Sequence, residues 1–181
     1  KDLGQHISSI VPLDENESII QAIGVEKFDG TNEYILTVTK NGQVKRSPLK
    51  DYQVSRYSKA MSTMKLKGDD EVISAQLVTD NGEIVLTSNT SYTVRFDMEE
   101  LPPTGVKTGG VKGLVLKDGE YVVATNVIMP NEAKDVIVVT HRGAVKRMNI
   151  TELEQTGRAK RGLVTLKELK SNPHRVFNVL L

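Results

Sequence analysis

Eight residues in the last third of the chain, Thr140-His141-Arg142-Gly143-Ala144-Val145-Lys146-Arg147, rewrite an earlier stretch, Thr39-Lys40-Asn41-Gly42-Gln43-Val44-Lys45-Arg46. A third, more diverged copy lies between them, Ser88-Asn89-Thr90-Ser91-Tyr92-Thr93-Val94-Arg95, with Ser91 where the others have glycine and the closing arginine kept. The closing arginines stand 49 and then 52 residues apart. A period near fifty marks an array or propeller of similar units, each too small to bury its own apolar face. The 181 residues hold about three and a half such units. Ile19-Ile20-Gln21-Ala22 matches Val72-Ile73-Ser74-Ala75, and Val176-Phe177-Asn178-Val179 falls at the same phase, so the chain reads as a fragment starting and finishing inside repeats. The repeats are expected over residues 1–30 (partial), 31–80, 81–130 and 131–181 of a single domain.

Within each period the apolar residues form short β-branched runs. Tyr34 to Thr39 is followed at once by Asn41-Gly42, the strongest short-range hairpin signal because both turn positions need positive φ, and Val44-Lys45-Arg46 is the return strand. Val72 to Val78, Glu83 to Thr87, Tyr121 to Ile128 and Asp135 to Thr140 read as further strands, and Ile7 to Ile10, Ser18 to Val25 and Ala60 to Leu66 as shorter ones. Pro102-Pro103 and Gly105 exclude a helix interior or central strand between Phe96 and Val106, and Thr151 to Glu154 reads as one helical turn. About four short strands per period, arranged radially, make an all-β, propeller-like body.

The formal charge of +1 averages over strong segregation along the chain. Residues 14–33 carry six acids against Lys27, and residues 40–67 carry eight bases against Asp51. Residues 68–100 swing back to eight acids against Arg95, and residues 140–175 return to nine bases against three acids. Charge thus varies with the repeat, so stacked repeats are expected to gather their basic segments on a common rim, an electrostatic footprint for polyanions. The competing reading is solvated surface charge.

Gly109-Gly110-Val111-Lys112-Gly113 and Arg158-Ala159-Lys160-Arg161-Gly162 join glycines, which permit close backbone approach, to bases suited to phosphate oxygens. Neither is a nucleotide-binding P-loop, because Lys107-Thr108 follows Val106 where that motif needs glycine. Lys45-Arg46 and Lys146-Arg147 end equivalent hairpins, either as repeated phosphate contacts or as edge-strand charges that discourage sheet aggregation. His6, His141 and His174 lack ligand spacing, there is no cysteine, and no Gly-x-Ser-x-Gly elbow occurs, so no catalytic constellation and no metal site is expected. The absence of cysteine fits a reducing cytoplasm, and no apolar run is long enough to span a membrane. Only Tyr52 and Tyr57 lie in a basic stretch, which favours double-stranded DNA held by its backbone over single strands stacked on aromatics.

The repeated hairpin ends, Gly110 to Gly113 and Arg158-Ala159-Lys160-Arg161-Gly162-Leu163 resemble the C-terminal domain of the A subunit of bacterial type IIA topoisomerases, over essentially the whole chain. The likeness runs closer to topoisomerase IV than to gyrase, since Lys107 to Gly113 lacks the opening glutamine and paired bases of the gyrase box. The resemblance implies a β-pinwheel whose basic perimeter bends duplex DNA beside the cleavage core of an ATP-dependent enzyme. This accessory piece would help select and present segments for strand passage, decatenation and supercoil relaxation. It implies a domain non-catalytic on its own and without cofactor, ATP and magnesium belonging to other domains. The implied partners are duplex DNA, the rest of the A subunit and the ATPase-bearing B subunit in a heterotetramer, in the bacterial cytoplasm near the nucleoid. By position, the implied DNA contacts are Lys45, Arg46, Arg56, Lys59, Lys65, Lys107, Lys112, Lys146, Arg147, Arg158, Lys160 and Arg161. A propeller-type protein scaffold and a gyrase wrapping domain are the alternatives.

Overall fold

The three copies of the repeated octapeptide make the same turn. In a computed structural model, which describes residues 3–56, 60–132, 134–167 and 171–181, the amide of Gly42, Ser91 or Gly143 donates to the carbonyl of Thr39, Ser88 or Thr140 at 3.0 Å. The hydroxyl of that same Thr or Ser accepts from the amide one residue past the turn: Gln43 to Thr39 at 3.0 Å, Tyr92 to Ser88 and Ala144 to Thr140 at 3.1 Å. The sequence predicted positive φ at both Asn41 and Gly42, but only Gly42 adopts it, at 81°. Gly143 matches it at 76°, and Ser91 is held at 69° although its Cβ disfavours that region. Its hydroxyl donates to the Leu166 carbonyl at 3.0 Å, which offsets part of the cost.

Each turn joins the two middle strands of a blade. β1 (Glu33–Thr39) pairs with β2 (Gln43–Pro48), and β3 (Val72–Thr79) lies antiparallel on the other side of β1. β4 (Glu83–Ser88) and β5 (Tyr92–Asp97) repeat the hairpin, with β7 (Val122–Ile128) against β4. β8 (Asp135–Thr140) and β9 (Val145–Asn149) repeat it again, with β11 (Val176–Leu180) against β8. The fourth strand comes from elsewhere in the chain. β6 (Val111–Lys112), which belongs to the second repeat by sequence, pairs with β2, and β10 (Leu163–Val164), from the third, pairs with β5. Two blades therefore have four strands and the third has three among the described residues.

The all-β expectation holds, with differences in detail. Residues 7–9 form a 3₁₀ turn rather than a strand, and neither 18–25 nor 60–66 forms one. A strand needs a hydrogen-bonded neighbour, and alternating side chains alone supply none. The helical turn expected near Thr151 is a 3₁₀ turn at Ile150–Glu152, and the other hairpins end the same way, at Leu49–Tyr52 and Met98–Glu100.

The core sits between blades. Leu36, Val38, Val44, Ile84, Leu86 and Phe96 belong to one buried cluster, and Val85, Ile128, Val136, Val138 and Val179 to another. Because strand side chains alternate, Ile84 and Leu86 of β4 join the first cluster while Val85 joins the second, so one strand cements both interfaces. Polar links accompany them: the Gln76 amide of β3 donates to Thr125 O of β7 at 2.8 Å, and Asn126 of β7 to Val179 O of β11 at 3.2 Å.

The glycines of the basic motifs are spacers for the donated strands. A Cβ on Gly113 would stand 2.6 Å from Leu86 Cδ1 and 2.9 Å from Val44 Cγ1. On Gly162, at φ 79°, it would stand 2.1 Å from Thr93 O, inside the β5 backbone that β10 must approach. Gly162→Ala is therefore expected to lower the thermal midpoint by about 4 °C or more, since left-handed strain alone costs an alanine about 1–2 kcal/mol. Circular dichroism melting of the two proteins measures it.

Candidate nucleic-acid interface

The twelve candidate bases divide into those spent on the fold and those left to solvent. The last arginine of the first two hairpins reaches into the next blade. Arg46, 5% exposed, donates Nε to Leu101 O and Nη1 to Asp80 at 3.0 Å, with its guanidinium 4.8 Å from the centre of the Tyr34 ring. Arg95 does the same one repeat on, donating to Ile150 O at 3.0 Å and Leu153 O at 2.9 Å and pairing with Glu83 at 2.6 Å. Leu101 and Leu153 both follow the 3₁₀ turn of the succeeding blade. The backbone reciprocates: Thr104 N–H donates to Arg46 O at 2.9 Å and Thr156 N–H to Arg95 O at 2.8 Å. The repeated arginine thus staples blade to blade, and Arg46 is withdrawn from the expected contact set by burial.

Lys45 is withdrawn for the same reason. It is 1% exposed, and its ammonium donates to the carbonyls of Gly105, Val106 and Thr108 at 3.2, 2.5 and 3.3 Å. Burial pushes its pKa down. Arg161 clamps Glu120 through its two terminal guanidinium nitrogens, with Nη2 to Oε1 at 2.6 Å, and lies 3.5 Å over the Tyr92 ring. The Arg161 guanidinium pulls the Glu120 carboxyl down to about 2, and the Glu120 carboxylate in turn raises the Arg161 pKa. Arg158, half-buried, spends Nε on Glu100 O at 3.2 Å and Nη1 on Lys112 O at 2.9 Å. Tyr34 and Tyr92 thus lie under arginines of the chain itself, and Tyr121 lies 5.6 Å from Lys40 Nζ.

Lys146 and Arg147, the counterparts of Lys45 and Arg46, are exposed on the free edge of β9. Lys146 donates to Thr165 O at 2.7 Å, and Arg147 pairs with Asp135 through Nε at 2.7 Å. Arg56, Lys65, Lys107, Lys112 and Lys160 are exposed, and their side chains have no hydrogen-bond or ion-pair partner among the described residues. Lys59 and Tyr57 lie outside the described residues.

Four of the five free bases share the inter-blade crossovers. Lys107 tips the loop entering β6, Lys112 ends β6, and Lys160 bridges to Leu114 where the next crossover begins. Lys65 runs alongside, its amide donating to Thr108 O at 3.2 Å. Lys117 and Lys167, exposed beside Arg161 and Tyr92 around a depression, were not among the bases singled out from the sequence. Among the described residues no group of three or more His, Asp or Glu could hold a metal ion, and no helix is long and apolar enough to cross a membrane.

Arg95→Ala leaves Glu83 and two carbonyls without their donor, and is expected to cost about 2–4 kcal/mol. Arg147→Ala, whose side chain is 75% exposed, is expected to cost about 0–1 kcal/mol; urea denaturation of both variants measures the contrast. Glu120 titrates well below its ordinary 4.5, so its clamp contributes fully above that value and is lost as pH falls from about 4.5 towards about 2. Glu120→Gln is expected to abolish this part of the acid sensitivity, read as a flatter melting temperature across that window.

A family model described as DNA gyrase C-terminal domain, beta-propeller matches residues 33–79, 82–129 and 134–181. The A subunit of DNA topoisomerase 4 from Bacillus subtilis is 42% identical over 97% of the chain, and its counterpart from Staphylococcus epidermidis 38% identical over the same share. The chain spans 22% of the length of each of these relatives. A crystal structure of the C-terminal domain of DNA topoisomerase IV superposes with a TM-score of 0.93 at 45% identity, covering 99% of this chain and 55% of that one. A DNA gyrase A C-terminal domain superposes at 0.81 with 23% identity, covering 99% and 58%, and shares the fold. With the family model matching three successive repeats over most of its length, the chain belongs to the DNA gyrase C-terminal domain, beta-propeller family.

Proposed function

We propose that the chain binds and bends duplex DNA through the lysines of its inter-blade crossovers, as the accessory C-terminal domain of a topoisomerase IV-type A subunit. The observation that carries this reading is the division of labour among the bases. Arg46, Arg95 and Arg161 are consumed by the fold, whereas Lys65, Lys107, Lys112 and Lys160 stand exposed and unpaired on consecutive crossovers. Lys59, outside the described residues, and exposed Arg56 extend the basic stretch before the first crossover. Lys146 and Arg147, exposed on β9, extend the proposed contact set, although each also has a partner within the fold.

Flexible ammonium groups suit phosphate oxygens without reading sequence, and tyrosines already stacked under internal cations leave little platform for unpaired bases. Binding is driven by counterion release. Bent DNA beside a cleavage core presents a second segment for passage, serving decatenation and supercoil relaxation. The rest of the A subunit and a B subunit in a heterotetramer supply the catalytic tyrosine, the ATP site and magnesium. The setting is the bacterial cytoplasm, near the nucleoid.

Replacing Lys107, Lys112 and Lys160 together by glutamine is expected to weaken duplex binding equally on unrelated sequences. The slope of log affinity against log salt should become shallower by about 2–3, near 0.9 for each lost phosphate contact. Fluorescence anisotropy over a salt series measures this, and an unchanged slope would remove these lysines from the interface. Bending is read by sealing nicked circles with the protein bound and counting the change in linking number.

A further inference from the structure

Lys45 is an unusual expenditure of charge. It lies at the centre of a strand, its ammonium satisfied by three carbonyls and by no carboxylate, whereas Arg46, Arg95 and Arg161 each meet an acid. All three carbonyls belong to residues 105–108, the loop whose tip carries Lys107. The remaining ties of that loop to itself are weak and local: Thr108 N–H and Oγ1 to Gly105 O at 3.1 and 2.7 Å, and Thr108 Oγ1 to Thr104 Oγ1 at 3.1 Å. Thr108 O also accepts the Lys65 amide, and β6, carrying Lys112, pairs with Gln43 and Val44 immediately before Lys45. The backbones of three segments, each carrying an exposed lysine, are thus joined around Lys45: the 105–108 loop directly, and those of Lys65 and Lys112 through Thr108 O and β2.

We infer that Lys45 is a positioning residue for duplex binding, fixing the loop of residues 105–108 so that Lys107 meets the DNA backbone, without touching DNA itself. The ammonium suits this task because three donors can gather three carbonyls turned toward one point, which a neutral side chain of that length cannot do. Its positive charge, sealed from solvent and unneutralised by any acid, also adds to the potential beneath the exposed lysines. The equivalent residue of the second blade is Val94, and that of the third, Lys146, donates to a single carbonyl. The device thus belongs to the first crossover among the described residues.

The inference rests on the DNA-binding reading, and a double-mutant cycle in the full chain separates the two. Affinity for a fluorescein-labelled duplex is measured against salt for Lys107→Gln, Lys45→Met and the double variant, with a melting curve for each. Lys107→Gln is expected to reduce the salt slope by about one. Lys45→Met is expected to reduce it by a similar amount in folded protein, and the double variant to match Lys107→Gln alone. A full slope in folded Lys45→Met, or additive losses in the double variant, would overturn the positioning role while leaving the Lys107 contact standing. No effect of Lys107→Gln would overturn the contact, and the role of Lys45 with it. Should Lys45→Met not fold, Thr108→Val decides: it deletes the loop's own hydroxyl bonds and leaves the Lys45 anchor, so an unchanged slope supports the inference and a slope reduced by one refutes it.

Discussion

The first two blades depend on backbone borrowed from the repeat that follows each of them. A hairpin with one inner strand, such as β3-β1-β2, leaves the amides and carbonyls of its outer edge unpaired, and β6 covers the first such edge as β10 covers the second. The exchange makes neighbouring repeats inseparable: their apolar clusters lie between blades, and β4 contributes to both. A single repeat would expose that surface, which is the physical reason units of this size occur as arrays.

The requirement for close approach explains the composition of the crossovers. Gly110, Gly113 and Gly162 sit where a Cβ would fall within 3.0 Å of a neighbouring blade, so they admit the donated strand. The same segments carry Lys107, Lys112 and Lys160 on their outer side. Structure and the proposed binding thus share one piece of chain. Glycine lets the backbone in against the blade, and the lysines beside it stand at the surface with no ion-pair partner among the described residues.

The hairpins, their turns and the fifty-residue spacing were legible because each is decided within a few residues: a hydroxyl, a glycine and a run of β-branched side chains at fixed separation. Of the 3₁₀ turns after the hairpins only the one near Thr151 was read, and the two-residue strands β6 and β10 were not legible at all, because they exist only against a partner far along the chain. For the same reason Ser18 to Val25 and Ala60 to Leu66 carry strand-like alternation without becoming strands. The candidate site was half legible. Base-rich segments and the crossover motifs could be read off the sequence, but a lysine that binds carbonyls and one that faces solvent have the same letter.

Two triplets state the division most clearly. Val44-Lys45-Arg46 and Val145-Lys146-Arg147 are identical in sequence and paired identically within their hairpins. The first is buried and the second exposed. Sequence alone determined that both would be return strands ending in two bases, because period, turn chemistry and propensity are local. Tertiary structure decided which bases hold the molecule together and which face solvent. The crossover of the next repeat lies over β2, buries the first triplet and offers Lys45 three carbonyls, whereas on β9 Lys146 reaches the single carbonyl of Thr165 and stays exposed.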